Sequence, residues 1–274
     1  MGLVADSERM APRQPFPCGC RPSRSSRRGR PCDRRADPVI DAPCGSSRCP
    51  VPHKPPTRLR STVWFAGARL HRGHKHPYPA HELVPGTGTT RFAPQRGSSH
   101  LYVATTEIGA LLESALHDAA PPHPRIHVPT LRAWSESIVE LRHDVRLFDL
   151  RDPELRRLGI GRNQLVATPP VHYACTRRWA SYLVTRRVGG QQAHGIVWHS
   201  RQAELHTRAQ AHRPAFARLL SDHPTEVAVV WSPPAPRLLL EHIAGAGLGR
   251  LDEGEGWAFV EDLLGLLSIV ADPG

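Results

Sequence analysis

The chain has 274 residues, of which 39% are hydrophobic and 6% aromatic, and its formal net charge is +11. The charge is concentrated at one end, because residues 1–60 contain 13 Lys and Arg against 5 Asp and Glu, whereas residues 61–274 contain 23 against 20. The body is therefore close to neutral, which argues against direct nucleic-acid binding by the body, since that function needs a basic face.

Two further classes of protein are excluded by the pattern of apolar residues and cysteines. The longest apolar stretch, residues 257–267, contains Glu261 and Asp262, so it is too short and too charged to span a bilayer. No apolar segment follows the first basic residues, so no secretory signal is expected. Beyond residue 60 the only cysteine is Cys175, so disulfides cannot build the body. The expected class is a cytoplasmic enzyme or binding protein.

Residues 1–60 are predicted to be a disordered extension. They contain 11 of the 28 prolines, are rich in Arg and Ser, and show almost no periodic apolar pattern. Five of the six cysteines fall here, with a spacing that matches no common zinc module: Cys18, Cys20, Cys32, Cys44 and Cys49. A zinc site and a basic arm that contacts nucleic acid or acidic partners are the alternatives to a solvated extension, which is favoured. Its removal is expected to leave folding and activity intact.

The body, residues 61–274, contains strand and helix signals in no regular order. Residues 99–104 alternate and are rich in β-formers, which predicts a strand. Thr105-Thr106 then supplies a helix N-cap, and Glu107 follows in the first turn, where the helix dipole favours an acid. Apolar residues recur at helical spacing over the next turns, at Ile108, Leu111, Leu112, Ala115 and Leu116.

The remaining elements are predicted from apolar runs and from glycine and proline positions. Strands are expected near residues 137–141, 145–150, 196–198 and 226–231, and helices over residues 176–187 and 256–270. Gly189-Gly190 is predicted to end the first of these helices. Because strands and helices do not alternate as βα units, the predicted fold class is α+β.

Glu113 lies on the polar side of the predicted helix that follows Thr106. Its neighbours one turn back are Gly109 and Ala110, whose small side chains leave open space that a ligand could use. A solvated surface glutamate is the alternative interpretation.

Several short motifs of the body occur together in one known family. They are Leu70-His71-Arg72, Thr90-Arg91-Phe92-Ala93-Pro94, Leu101-Tyr102-Val103-Ala104, Ala110-Leu111-Leu112-Glu113 and Gly195-Ile196-Val197-Trp198-His199-Ser200-Arg201. Tyr102 lies eleven residues after Arg91 and eleven before Glu113. Over about residues 61–235 the chain resembles the RES domain family, which is named for its recurrent Arg, Glu and Ser. It departs from the residues common in that family at His71, Gly73 and Thr90.

The resemblance implies a fold, an activity and a partner. RES proteins are toxins of toxin–antitoxin pairs with an ADP-ribosyltransferase-like mixed β core and flanking helices. They degrade NAD+ by phosphorolysis or hydrolysis, and some members ADP-ribosylate a protein. NAD+ is then the expected substrate, with inorganic phosphate as a candidate co-substrate, and the expected partner is an Xre-like helix-turn-helix antitoxin. The chemistry requires neither a metal nor a prosthetic group.

The resemblance also implies a role for five residues. Arg72 and Arg91 would bind the NAD+ pyrophosphate or the attacking phosphate, Tyr102 would stack on or orient the nicotinamide, and Glu113 would serve the nicotinamide ribose. Ser200 would hold the ligand by hydrogen bonds. A guanidinium binds phosphate oxygens in a fork, and a carboxylate stabilises the positive charge of an oxocarbenium-like transition state. Arg72 and Glu113 are the predicted catalytic residues, and Arg91, Tyr102 and Ser200 the predicted substrate-binding residues.

Three functions remain open at this point. An NAD+-cleaving toxin is favoured, and the alternatives are a mono-ADP-ribosyltransferase and an inactive RES-like domain that only binds a nucleotide or a partner. Three other motifs are set aside: the histidines His71, His74 and His76 as metal ligands, the glycine run 245–249 as a dinucleotide loop, and Cys175, which is interpreted as a small buried thiol.

Overall fold

The computed structural model describes residues 44–83, 89–94, 98–119, 125–204, 224–231 and 239–274. The strands are β1 Ser61–Trp64, β2 Arg69–Lys75, β3 His100–Ala104, β4 Arg125–His127, β5 Trp134–Leu141, β6 Val145–Asp149, β7 Arg187–Val188, β8 Gln191–Gln192, β9 Gly195–His199, β10 Glu226–Trp231, β11 Leu240–His242, β12 Gly249–Arg250 and β13 Val270–Asp272. The α-helices in these ranges are α1 Glu107–Leu112, α2 Asp152–Arg157, α3 Tyr173–Leu183 and α4 Gly254–Leu267.

A mixed nine-stranded sheet forms the centre of the described part of the chain. Its order is β1-β6-β9-β10-β3-β2-β5-β11, and β12 also pairs with β5. Strands β6 and β9 are parallel, and the other pairs in this sheet are antiparallel. The predicted α+β fold class, a mixed β core with flanking helices, is confirmed. No helix among the described residues is long and apolar enough to cross a membrane.

The central strands bury side chains on both faces of the sheet. Along β10, Val227 and Val229 belong to one hydrophobic cluster, which includes residues of α3, whereas Ala228 and Val230 belong to a second cluster. This division follows the two-residue period of a strand. A third cluster forms between α1 and α4, where Leu111 and Leu263 are buried. The strands that carry the predicted site residues therefore sit in a well-packed frame.

Most of the predicted elements are present, with small shifts at their ends. The strand predicted over 99–104 is β3, and those predicted at 196–198 and 226–231 are β9 and β10. The Thr106 hydroxyl accepts a hydrogen bond from the Gly109 N–H at 3.1 Å, so the predicted N-cap of α1 is confirmed. Strands β5 and β6 cover the segments predicted near 137–141 and 145–150. The helix predicted over 256–270 is α4, and residues 270–272 form β13 instead.

The helix predicted over 176–187 has different limits. Helix α3 begins at Tyr173 and ends at Leu183, and Gly189-Gly190 does not end it. Both glycines have positive φ, 58° and 78°, and they form the two-residue turn between β7 and β8. A pair of positive φ angles at that position is the conformation that a tight hairpin requires.

Strand β2 was not predicted, although it lies inside the sheet. It pairs with β5 over seven residues and contacts β3 on its other side. Its sequence, RLHRGHK, is mostly polar, so the apolar alternation that marks a strand is missing. Several of these residues, including Arg72 and His74, line the cavity described below, which explains the polar character of the strand.

The body also extends further toward the N-terminus than predicted. Residues 44–60 pack against the sheet and α3, with Val51 and Leu59 only 6% and 7% exposed. The buried Trp179 donates its Nε1–H to the Pro52 carbonyl at 2.6 Å. The prediction of a solvated extension is therefore wrong for residues 44–60, because they contribute apolar side chains to the core. Cys18, Cys20 and Cys32 lie outside the described residues.

Removing residues 1–60 is expected to destabilise the protein more than removing residues 1–43. The longer truncation exposes Trp179 and deletes Val51 and Leu59, whose burial contributes about 3 kcal/mol or more. The melting temperature should fall by roughly 6–12 °C between the two truncated proteins, as measured by scanning calorimetry. Equal melting temperatures would contradict this packing.

His71 links β2 to a buried carboxylate on the neighbouring strand. Its Nδ1 lies 2.9 Å from Glu136 Oε1, and Glu136 is fully buried. The other carboxylate oxygen of Glu136 accepts the Leu248 N–H at 2.7 Å. Burial alone would lower the pKa of His71, but the hydrogen bond and charge of Glu136, together with the charge of Glu107, raise that pKa above its ordinary value.

Replacing His71 by glutamine is expected to cost more stability in acid than in alkali. The raised pKa means that the contribution of the charged imidazole is complete below the unfolded pKa of about 6.5 and is lost as pH rises through the folded pKa. Glutamine keeps a hydrogen-bond donor but has no charge. Urea unfolding of both proteins should show a difference that is about 1 kcal/mol larger near pH 5.5 than near pH 8.5. A difference that does not change with pH would show that His71 is neutral in the fold.

Candidate active site

Two adjoining cavities lie beside β2, β3 and α3. The larger cavity has a volume of about 470 Å³ and the smaller one about 360 Å³. Five residues line both of them: Arg91, Glu113, His117, Asp118 and Tyr173. The larger cavity is also lined by Arg72 and Tyr102. The structure therefore brings four of the five predicted site residues to one place.

Glu113 stands where the two cavities meet. It is the C-cap residue of α1, directly after Leu112, and its backbone N–H donates to the Gly109 carbonyl at 3.1 Å. Ser200 comes directly after β9 and donates its hydroxyl to Glu113 Oε1 at 2.7 Å. The Ser200 N–H bonds to the Thr225 carbonyl at 2.9 Å, beside the start of β10. The position of the carboxylate is therefore set by the end of a helix on one side and by a central strand on the other.

Ser200 does not occupy the place that the sequence analysis predicted. It is 2% exposed and does not line either cavity, so its hydroxyl cannot hold a ligand directly. The same hydroxyl accepts the Ala203 N–H at 3.1 Å. Ser200 is a positioning residue that fixes one oxygen of Glu113.

The open space predicted beside Gly109 and Ala110 is only a small cavity of about 10 Å³, too small for a ligand larger than water. Both residues are buried, and a Cβ atom at Gly109 would lie 2.3 Å from Cγ2 of Thr225. These small residues let α1 pack closely on the sheet. The space available to a ligand lies on the cavity side of Glu113 instead.

Arg72 is a buried cation at the wall of the larger cavity. It is 5% exposed, and its guanidinium donates to the backbone carbonyls of Ala80 and Pro79. Burial lowers its pKa to about 10, partly opposed by the charge of Glu82, so the group stays protonated at neutral pH. In the described ranges it forms no ion pair with a carboxylate, and its positive charge is available to an anion.

Arg91 lies between the two cavities. Its NH2 group donates to the Thr168 carbonyl and to the Tyr173 hydroxyl, both at 3.2 Å, and its guanidinium carbon lies 5.1 Å from the centre of the Tyr173 ring. Its Nε is buried and has no hydrogen-bond partner among the described residues. Like Arg72, it forms no ion pair within that part of the chain.

Tyr102 is held firmly against the larger cavity. Its hydroxyl accepts the Phe92 N–H at 3.2 Å and lies 2.9 Å from the Thr90 hydroxyl. Its ring meets the ring of Trp198 edge-on, with a centroid distance of 6.2 Å. Burial raises the pKa of Tyr102 to about 12, so the residue is a neutral phenol whose ring face can contact a ligand.

Two departures from the family pattern now have structural explanations. Thr90 provides the hydroxyl that bonds to Tyr102. Gly73 lies opposite the end of α1, where an added Cβ would be only 2.0 Å from Ser114 Oγ and 3.1 Å from the Ala110 carbonyl oxygen. Glycine at this position therefore lets β2 and α1 approach each other.

The sequence analysis missed several residues of the site. Tyr173, Trp198 and His100 line the larger cavity, and Arg201 lines the smaller one. Burial and the nearby Arg72 lower the pKa of His100 to about 4, so its imidazole is neutral. His100 Nδ1 and Trp198 Nε1 are buried without a partner among the described residues. Buried polar atoms are nearly always hydrogen-bonded, so these two atoms are exceptions beside the cavity.

His71 and His74 on β2 and His76, which follows the end of that strand, do not converge. His71 bonds to Glu136, His74 Nε2 lies 3.0 Å from the Ser137 hydroxyl, and His76 Nδ1 lies 3.2 Å from the Ser135 hydroxyl. Each imidazole has a different partner on β5. This arrangement stabilises the pairing of the two strands.

Comparison with known proteins agrees with the resemblance drawn from the motifs. The sequence matches the RES domain family over residues 63–235. No curated protein is significantly similar to the chain. Among solved structures, a chain in the crystal structure of the M. tuberculosis MbcT–MbcA toxin–antitoxin complex shares 12% sequence identity, with a TM-score of 0.41 over 66% of this chain and 84% of that one.

Proposed function

This chain belongs to the RES domain family, and on that basis we propose that it is a toxin that cleaves the nicotinamide–ribose bond of NAD+. The bond is broken by phosphorolysis or hydrolysis, and an antitoxin of the Xre-like helix-turn-helix type neutralises the enzyme. The observation that carries this proposal is the carboxylate of Glu113, which Ser200 holds at the junction of the two cavities.

Glu113 fits the chemistry of the bond that breaks. As nicotinamide leaves, positive charge develops on the ribose, and a fixed carboxylate beside the ring stabilises that charge. The Ser200 hydroxyl binds one carboxylate oxygen, which leaves the second free to face the ribose. Ser200 is a neutral hydroxyl, so its hydrogen bond orients the carboxylate without placing a positive charge beside it.

The larger cavity fits the aromatic and anionic parts of NAD+. Its walls include the rings of Tyr78, Tyr102, Trp134, Tyr173 and Trp198, which can stack on a nicotinamide. Arg72 and Arg91 supply two positive charges for the pyrophosphate.

The smaller cavity fits the group that attacks the ribose. Arg91 and Arg201 line it, and the Arg201 guanidinium donates to the Ala167 carbonyl at 3.1 Å, which fixes its position. Two guanidinium groups beside Glu113 suit inorganic phosphate better than a protein side chain. We therefore favour phosphorolysis, in which phosphate attacks the ribose, over hydrolysis, in which water attacks it.

The test is to follow NAD+ labelled on the adenylate half with the purified full chain, with and without phosphate. We expect release of nicotinamide, with the label recovered as free ADP-ribose or, in the presence of phosphate, as ADP-ribose phosphate. Label attached to protein would replace this proposal by the mono-ADP-ribosyltransferase. No turnover by protein with a cooperative melting curve would replace it by the nucleotide- or partner-binding domain.

The toxin role is tested separately in cells. Induction of the chain alone is expected to lower cellular NAD+ and stop growth, and co-expression of a small helix-turn-helix protein encoded beside it should reverse both effects. Growth arrest with unchanged NAD+ would contradict NAD+ cleavage as the cause of toxicity.

A further inference from the structure

We propose that Cys44, Cys49, His172 and Cys175 form a binding site for a zinc ion, which joins residues 44–60 to the start of α3. Neither the family match nor the proposed NAD+ chemistry involves these four residues. They come together from two parts of the chain more than 120 residues apart.

Three of the four donor atoms lie close enough together to share an ion, and the fourth donor lies beside one of them. Cys44 Sγ lies 3.3 Å from His172 Nδ1, and Cys49 Sγ lies 3.5 Å from Cys175 Sγ. One ligand atom each from Cys44, Cys49 and His172 lies within 4.8 Å of the other two. For zinc bonds of about 2.3 Å to sulfur and 2.0 Å to nitrogen, a tetrahedron places two sulfurs about 3.8 Å apart and a sulfur and a nitrogen about 3.5 Å apart. Cys175 Sγ does not lie within 4.8 Å of all three of these atoms, so the fourth bond requires a side-chain movement of about 1 Å or more.

The donor types and their spacing also fit zinc. Three thiolates and one imidazole are a common structural ligand set for this ion. Four residues separate Cys44 from Cys49, and two separate His172 from Cys175, which are the short intervals that allow two ligands to come from one turn. The two pairs of ligands are not recognisable as one motif because several strands of the sheet separate them along the sequence.

The surroundings of the cluster are those of a structural site. Cys175 is 1% exposed and His172 is 9% exposed, while Cys44 and Cys49 are half-buried. The Cys44 N–H points to Cys175 Sγ at 3.5 Å, as backbone amides do around bound thiolates. The three sulfurs lie close together and form no disulfide with one another, so all three thiols are available as ligands.

The site would also support the cavity wall. Tyr173 lies between His172 and Cys175 in the chain, and its hydroxyl and ring contact Arg91. The next residue after Cys175 is Thr176, whose hydroxyl donates to the Arg91 carbonyl. An ion held at the first turn of α3 therefore fixes two of the residues that position Arg91.

The experiment uses the full chain without an affinity tag, because tag histidines bind zinc. After reconstitution with zinc and dialysis, mass spectrometry of the metal is expected to give one ion per chain, and cobalt in its place should show the intense absorption of cobalt–thiolate bonds. The Cys44→Ser/Cys49→Ser variant should lose both signals. The matched control, Cys18→Ser/Cys20→Ser/Cys32→Ser, removes only cysteines outside the cluster and should retain both.

Three outcomes would overturn the proposal. They are a wild-type chain that takes up no cobalt or zinc while its thiols react freely, a disulfide between any two of the three clustered cysteines, and metal that stays with the Cys44→Ser/Cys49→Ser variant but is lost from the control. If the double variant fails to fold, His172→Ala supplies a second test, since it leaves all thiols in place. Loss of the tetrahedral cobalt spectrum in that variant supports the site, and an unchanged spectrum overturns it.

Discussion

Glutamine in place of Glu113 is expected to slow NAD+ cleavage on the order of 10²-fold or more, with little change in NAD+ affinity. The substitution keeps the size of the side chain and can still accept the Ser200 hydrogen bond, but it removes the negative charge. The loss therefore falls on the step in which positive charge develops on the ribose. Single-turnover rates and equilibrium binding, measured on the same preparations, separate the two effects.

Two further variants make this prediction specific. Glu241→Gln changes a carboxylate on β11 that pairs with Arg142 at the protein surface, and it should leave turnover unchanged. Ser200→Ala leaves the carboxylate of Glu113 in place but removes the hydrogen bond that fixes its orientation. Turnover should therefore fall by a smaller factor, roughly tenfold. Full turnover by Glu113→Gln with an unchanged melting curve would show that the carboxylate is an ordinary surface group and that the active site lies elsewhere.

Alanine in place of Arg91 is expected to raise the Kd for NAD+ by about ten- to a hundredfold. The guanidinium faces both cavities and has no carboxylate partner in the described part of the chain, so its charge is available to the substrate phosphates. Hydrogen bonds to a charged group contribute about 1.5–3 kcal/mol, which corresponds to that change in Kd. Calorimetric titration in the Glu113→Gln background measures the affinity while NAD+ cleavage is slowed.

The matched control for Arg91 is Arg69→Ala. Arg69 is the first residue of β2, is largely exposed and pairs with Glu140, so its removal changes the net charge equally without touching either cavity. Equal affinity losses in the two variants would mean that NAD+ responds to the overall charge of the protein and not to a phosphate site at Arg91.

The sequence predicted elements well where one physical signal dominated. The N-cap of α1 and strands β9 and β10 follow from a capping hydroxyl and from β-rich apolar runs, which are local properties. Strand β2 was missed because its side chains serve the cavity and carry no apolar alternation. Residues 44–60 were assigned to a solvated extension because only a few of their side chains are apolar, although Val51 and Leu59 are buried in the core.

The site was predicted as a set of residues but not as an arrangement. The family resemblance named Glu113 and Ser200, yet nothing in the sequence showed that one would bind the other across 87 positions. Tyr173 carried no signal at all, because its role depends on where α3 meets Arg91. Contacts of this kind come from strand order and helix placement, which local patterns do not encode.

The close approach of β2 to α1 predicts which positions should change together during evolution. A side chain at position 73 and the hydroxymethyl group of Ser114 compete for the same volume, since even a methyl group at Gly73 would overlap Ser114 Oγ. Relatives with a larger residue at position 73 should therefore carry glycine or alanine at position 114, or an α1 that ends further from the sheet. In the latter group the carboxylate at the position of Glu113 would lie further from the cavity. We therefore expect some of these relatives to carry the acidic residue one position away.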